Sequence, residues 1–351
     1  MVSSISMINA EQQADGSYPG GHNGPYHDDE SRARNTAHMV VANLYAWKHT
    51  GETQFRQAAE SGVGYLCCVV RQAGNFGVIC RNKAGKDRAN GLVGQAWIIE
   101  ALAEAAWVLD DDNAKEAAED LFRRHRFDAQ ASAWLTAPVA DSDSVKFDRT
   151  FNHQLWFAAS GALLVRCGVD VREPVERFLS RHLPSMKQYR SGLIHHSNPY
   201  FMALDGKEKA KSLLRHLRVV LNSRKVYMKS VGYHTFNTYA LALIEECIPS
   251  LGLREMEPVG KAVRYIESNE FSEKIGHSDY SFAYNPPGFE AAYTLKVFNG
   301  VTNPFSHPLM RRQFEQTHNK HSGHFDRNVS DTRTCAARVY EAARLLEPRK
   351  M

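Results

Sequence analysis

A helical hairpin that recurs along the whole chain constrains this sequence more than any other feature. Apolar residues return at helical spacing over 35–49, 53–71, 91–109, 112–126, 151–167, 171–182, 233–248, 256–269, 286–298, 307–317 and 331–346. The turns within pairs are short, as at His49-Thr50-Gly51-Glu52, Asp110-Asp111-Asp112 and Gly168-Val169-Asp170, which makes each pair an antiparallel hairpin. First helices begin near 35, 91, 151, 233, 286 and 331. Three of them open alike, with an amide two residues before a large aromatic: Gln95 and Trp97, Gln154 and Trp156, Asn237 and Tyr239. Glycine-and-aromatic turns precede them, as at Asp15-Gly16-Ser17-Tyr18 and Gly74-Asn75-Phe76-Gly77. One such hairpin cannot bury its apolar face alone, so the copies must stack. Six first helices are followed by only five second helices, and Ile5 to Gln13 resembles the end of an outer helix. Half a repeat at each end predicts that the N-terminal segment packs on the last helix and closes a ring.

Composition agrees with an ordinary globular chain. The 351 residues are 43% apolar and 23% charged, with 43 basic and 39 acidic side chains and a formal charge of +4. That excludes a disordered chain, a collagen and a coiled-coil rod, and the mild charge gives no reason to expect nucleic acid. No uninterrupted apolar stretch approaches the roughly 20 residues that span a bilayer. Met1 to Gln13 lacks the layout of a secretory signal. These features predict a cytoplasmic protein. The six cysteines form no CxxC pair and read as small buried hydrophobes.

The repeated hairpins and glycine-aromatic turns resemble the six-hairpin, (α/α)6-toroid superfamily of carbohydrate-active proteins. That grouping includes glycoside hydrolases, N-acylglucosamine 2-epimerase-like enzymes and polysaccharide lyase toroids. The resemblance covers nearly the whole chain, and Asn90 to Asp112 with Phe127 to Leu135 is most similar to the epimerase-type toroids. It implies an all-α fold, here one domain over 1–351 with an insertion at 183–232, and a glycan as substrate. It does not single out one activity, because fold analogy alone does not give function.

In such a ring the loops before the inner helices meet at one mouth, here 14–34, 72–90, 127–150, 183–232, 270–285 and 318–330. They hold side chains that suit sugars: Tyr18, His27, Asp28, Asp29 and Arg34 in or beside the first, Asp141, Asp143 and Asp148 in the third, Asp279 and Tyr284 in the fifth. Glycoside hydrolysis usually uses two carboxylates. Glu290, after Asn285-Pro286-Pro287-Gly288, is the leading candidate acid or base, with Asp148 or the Asp28/Asp29 pair opposite. Glu290 also reads as a helix-start carboxylate favoured by the macrodipole, and Asp148 as a helix cap.

A rival set holds no carboxylate. Asn152 and His153 open the third inner helix, Tyr233 and His234 open the fourth, and Tyr284 precedes the fifth. A lyase or uronate epimerase removes a proton beside a carboxylate with such His or Tyr groups. The amides Gln95, Gln154 and Asn237 are expected to line the inner wall with Trp97, Trp156 and Tyr239, the amides facing a wet cavity and the aromatics reading as core more than as sugar platforms. The insertion contains an amphipathic helix near 208–222 with Leu213, Leu214, Leu217 and Leu221 on one face. Lys207, Lys209, Lys211, Arg215, Arg218, Arg224, Lys225 and Lys229 surround it, with Glu208 the only acid between 206 and 229. This reads as a solvated face or as a field that attracts an acidic glycan. The histidines form no compact metal pattern, and no cofactor is expected. The sequence therefore predicts a glycoside hydrolase on a glycan, possibly anionic, with a lyase or sugar epimerase and a non-catalytic binding scaffold as the competing readings.

Overall fold

The computed structural model describes residues 1–139, 145–196 and 223–349. The helices expected from periodicity are present throughout these residues, apart from the amphipathic helix near 208–222, which lies outside them together with Asp141, Asp143 and the basic residues from Lys207 to Arg218. The inner helices are α2 (Ala33–Thr50), α4 (Gly91–Leu109), α6 (Phe151–Arg166), α8 (Ser223–Cys247), α11 (Pro287–Asn299) and the broken pair α13 (Thr332–Ala337) and α14 (Tyr340–Ala343). The outer layer contains α1 (Val2–Asn9), α3 (Thr53–Gln72), α5 (Asp112–Arg123), α7 (Arg172–His182), α9 (Glu257–Ile266), α10 (Asn269–Ile275) and α12 (Pro308–Thr317). Each inner helix packs on the next, and α14 returns to α2. The fold is an (α/α)6 toroid.

Apolar patterning explains the two layers. Inner helices such as α4 and α6 are buried nearly all round, whereas the outer α3 and α5 bury one stripe and expose the other face. α4 is long and apolar enough to cross a membrane, but it is the inner wall of the ring, and Gln95, Glu100 and Glu104 interrupt its apolar run.

The two chain ends complete the circle. Ile5 and Ile8 of α1 are buried. Asn9 and Asn43 exchange side-chain hydrogen bonds of 2.7 and 2.9 Å, which fixes α1 on α2. Ser4 Oγ donates to the Gly323 carbonyl at 2.6 Å, and Ile8 faces Ala336 and Ala337 of α13 across a small cavity.

The recurring amides clamp loops. Gln95 Oε1 accepts from Val78 N at 2.8 Å, and its Nε2 donates to the carbonyls of Val78 and Ala89. Gln154 repeats this pattern with Trp134 N, at 2.9 Å, and the carbonyls of Trp134 and Asp148. Each amide thus satisfies the backbone of the loop that leads into its own helix. Gln95 and Gln154 are fully buried, and neither borders the cavity described below. This corrects the expectation that they face a wet centre.

Candidate functional site

At the mouth of the ring, residues from five of the inner segments and the loops before them enclose a cavity of about 290 Å3. α4 contributes Val93 and Trp97, α6 Asn152 and His153, α8 Lys229, Tyr233 and Phe236, and α13 with its break contributes Arg338. The loops add Asn23, Tyr26, Asp28, Arg81, Lys86, Asn90, His196, Tyr284 and Asn285, and Arg34 rises from the first turn of α2.

Asp148 and His153 form a dyad on one wall. His153 Nδ1 lies 2.8 Å from Asp148 Oδ2, and an ionised carboxylate only accepts, so Nδ1 is the donor. The same oxygen accepts from Leu92 N at 2.9 Å, and Oδ1 accepts from Thr150 N at 3.0 Å. Burial alone would push the Asp148 carboxyl up. The His153 ring and these amides outweigh burial and hold it below the usual carboxylate value. Gly91, at φ +61°, makes room for the pair: a Cβ there would lie 2.3 Å from Asp148 Oδ2 and 2.5 Å from His153 Nδ1. With Nδ1 committed, Nε2 is the nitrogen left for the cavity.

His196 also borders the cavity. Burial, followed by the charges of Lys229, His153 and His195, pushes its pKa well below the ordinary value, so the ring is neutral. Its backbone N–H donates to Ser230 Oγ at 2.9 Å, and its ring packs 4.8 Å from that of Tyr233.

The floor is built on Arg34. Its Nη1 makes two bonds to Glu30, at 2.9 and 3.0 Å, and a third to Asn23 Oδ1 at 3.1 Å. Its guanidinium lies 4.2 Å above the centre of the Trp97 ring. Arg34 Nη2, Trp97 Nε1 and Asn152 Oδ1 are buried without a hydrogen-bond partner among the described residues. Buried polar atoms are normally paired, and three such atoms on residues lining one cavity form a set that hydroxyl groups of a ligand can satisfy.

Three tyrosines gather on the opposite side. Tyr26 and Tyr233 pair their hydroxyls at 2.8 Å, and Tyr284 Oη donates to Asn23 Oδ1 at 2.8 Å. Burial raises the phenols of Tyr26 and Tyr233 far above their ordinary value, so both stay protonated.

The structure separates the residues that the sequence put forward. Arg34, Asp28, Trp97, Asn152, His153, Tyr233 and Tyr284 border the cavity, and Asp148 stands directly behind His153. Glu290 does not face it. One Glu290 oxygen accepts from Arg338 at 2.7 Å and the other from Thr235 Oγ1 at 2.6 Å, with the side chain fully buried. Arg338 is held on its other side by Glu341, so Glu290 is a counter-ion that positions a cavity arginine.

His234 is also internal. Ile194 N donates to its Nδ1 at 3.2 Å and its Nε2 donates to the Ala262 carbonyl at 3.0 Å, while burial lowers its pKa to about 4. It clamps a loop as Gln95 and Gln154 do. Tyr18 is buried beneath α1, with its hydroxyl on Asn9 Oδ1 at 2.7 Å. Asn237 is buried away from the cavity lining. His27 and Asp29 are exposed beside the mouth, and Asp279 is exposed on an adjoining depression with Arg224 and Lys225.

Sequence reasoning passed over His196, Arg81, Lys86 and Arg338. A signal existed for two of them, because Arg81, Lys83, Lys86 and Arg88 make loop 72–90 basic. Among the described residues, no three His, Cys, Asp or Glu side chains converge to hold a metal ion.

No family model matches the sequence. A curated relative does: archaeal glycosylation protein Q of Haloferax volcanii is 38% identical over 348 residues, spanning 95% of this chain and 93% of that protein. The chain belongs to the archaeal glycosylation protein Q family. Solved structures similar to this member of the family share its fold at low sequence identity. D-mannose isomerase has a TM-score of 0.62 at 14% identity, covering 98% of this chain and 96% of its own. Cellobiose 2-epimerase of Bacillus thermoamylovorans has a TM-score of 0.65 at 12% identity, covering 98% and 97%. The GH76 alpha-mannanase of Bacteroides thetaiotaomicron has a TM-score of 0.57 at 10% identity, covering 97% and 93%. The family therefore has the toroid fold of carbohydrate-active enzymes, as the resemblance read from the repeats implied.

Proposed function

We propose that this protein rearranges a sugar unit of a glycan by proton transfer, as an isomerase or epimerase, in the cavity at the mouth of the ring. The observation that carries this reading is the Asp148–His153 dyad. A buried carboxylate that fixes Nδ1 as a donor leaves Nε2 as a base aimed at the cavity. In this reading Nε2 takes the proton from the carbon beside the sugar carbonyl. The negative charge moves onto the carbonyl oxygen, where Arg34 and Arg338 stabilise it. The neutral His196 ring is the second group able to relay a proton, and return of the proton to another face or a neighbouring atom completes the rearrangement.

The carboxylates favour this reading over the hydrolase expected from sequence. Hydrolysis generally needs two of them beside the scissile bond. Glu290 is spent on Arg338, Asp148 is turned to His153, and Asp28 is the one carboxylate lining the cavity among the described residues. A relative named for glycosylation and fold neighbours that include D-mannose isomerase and cellobiose 2-epimerase agree with a sugar substrate. The excess of arginine and lysine in the lining supports a glycan that carries negative charge.

Incubation with neutral sugars and uronates in deuterium oxide tests the proposal. Deuterium should appear at the carbon next to the carbonyl or carboxylate, and His153→Gln should abolish it. New reducing ends without deuterium would overturn it in favour of hydrolysis, and an unsaturated uronate absorbing in the ultraviolet would overturn it in favour of elimination.

A further inference from the structure

One cation of the cavity is held in an unusual way. Lys229 Nζ stands 5.0 Å from the ring centre of Tyr26, 5.1 Å from that of Tyr280 and 5.6 Å from that of Tyr233. Among the described residues no carboxylate is within ion-pair distance of it. Three aromatic faces attract and orient an ammonium but accept none of its hydrogen bonds in the way an anion does. Tyr26 and Lys229 line the same cavity as a second group of cations that includes Arg81 and Lys86.

That group is poorly neutralised. Arg81, Lys83 and Lys86 share the single carboxylate of Asp28 at 3.6, 3.7 and 3.9 Å, all longer than hydrogen bonds. Arg81 Nε is buried without a partner. By contrast, Arg34 is bound by Glu30 at 2.9 Å, and Arg338 by Glu290 at 2.7 Å. Among the described cations of the lining, Lys229 and Arg81 are thus the weakly compensated ones, in contrast to Arg34 and Arg338.

We infer that Lys229 in its cage, with Arg81 lining the same cavity, is the seat of an anionic group on the substrate, a carboxylate or a phosphate, and that this contact selects charged sugars over neutral ones. The inference rests on the proposed sugar chemistry but concerns recognition. The anion docks against Lys229 and Arg81, and the tyrosine rings exclude water around it, which strengthens the contact. The reacting end of the sugar is then turned toward the wall that carries His153. Lys229 is a specificity residue in this scheme and takes no part in proton transfer.

The test is titration calorimetry of the full chain with glucuronate, glucose 6-phosphate and glucose, in the wild type, Lys229→Met and Lys229→Arg. The wild type should bind at least one charged sugar more tightly than glucose, and the probe that gains identifies carboxylate or phosphate. Lys229→Met should weaken that probe by about 10- to 100-fold, the scale of a charge-assisted hydrogen bond, and leave glucose unchanged. Lys229→Arg should keep part of the preference, and added salt should erode it. Equal affinity for charged and neutral sugars in the wild type, or an unchanged preference in Lys229→Met, would overturn the inference. Repeating the titrations in His153→Gln separates the two proposals. A charge preference that survives there, without deuterium exchange in the wild type, refutes the chemistry and keeps the anion seat.

Discussion

Along α4 the residues facing the ring axis change character within two turns. Val93 and Trp97 border the cavity, whereas Glu100 and Glu104 lie deeper and bind Arg344 of the last segment. Arg344 reaches Glu100 at 2.7 Å and Glu104 at 2.5 Å, and Arg166 adds a second cation to Glu104 at 2.9 Å. Two arginines meet two glutamates there, with Arg344, Glu100 and Glu104 buried and Arg166 at the edge. Six residues before Arg344, Arg338 marks the start of the upper layer, where the cations of the lining outnumber its carboxylates. Both layers use the same residue types. The balanced one holds the ring together, and the unbalanced one is suited to a ligand.

The largest test of this contrast is Arg344→Met. It leaves two buried glutamates without their shared partner and should cost about 3–5 kcal/mol, a melting temperature lower by about 5–10 °C or a failure to fold. A loss below about 1 kcal/mol would break the distinction between the layers. In the upper layer the sign of the consequence reverses. His153→Gln should leave the melting curve within about a degree yet lower turnover by about 100-fold or more, read in the deuterium assay.

The third test uses pH. Burial pushes the Glu100 carboxyl up to about 7, against the pull of Arg344, while Glu104, with two arginines, is held at about 2. Between pH 4.5 and 7 the folded chain keeps a proton on Glu100 that the unfolded chain has released. This group's contribution to stability is therefore complete below pH 4.5 and is lost as pH rises through 7. Glu100→Gln should flatten the fall of melting temperature between pH 5 and 7.5, and a parallel curve would show that Glu100 is ionised throughout.

The smallest effect belongs to Trp97→Phe. It keeps a ring under Arg34 but deletes an unpartnered N–H. Stability should rise slightly, by up to about 1 kcal/mol, while sugar affinity falls several-fold in calorimetry. No loss of affinity would mean that this N–H meets no ligand.

These layers differ in how far they could be read from sequence. The ring itself was legible, because helical periodicity and the half hairpin at each end leave few other closed arrangements. The recurring amides were visible as a repeat, yet the partners of Gln95 are backbone atoms 17 and 6 residues back in the loop, and a sequence does not say which way an amide points. Glu290 was misread for a similar reason. Its partner Arg338 is 48 residues away, so its neutralisation exists only once the ring closes. His153 stood out in sequence because it begins an inner helix, whereas His196 lies in a stretch without periodicity. Lys229 and Arg81 look like surface cations in sequence, which does not show that Lys229 meets no carboxylate among the described residues or that Arg81 stands 3.6 Å from Asp28.

The contact of Arg344 with Glu100 and Glu104 spans 244 and 240 residues. Hairpins of the ring are local and can form as the chain is made, but this bond waits for the last inner segment. Until that segment arrives, two carboxylates stand in a forming core with Arg166 as their nearest cation. Closing so long a loop is slow and entropically costly. The last inner segment thus completes the ring twice over, as the sixth wall and as the source of the cation that the earlier carboxylates need.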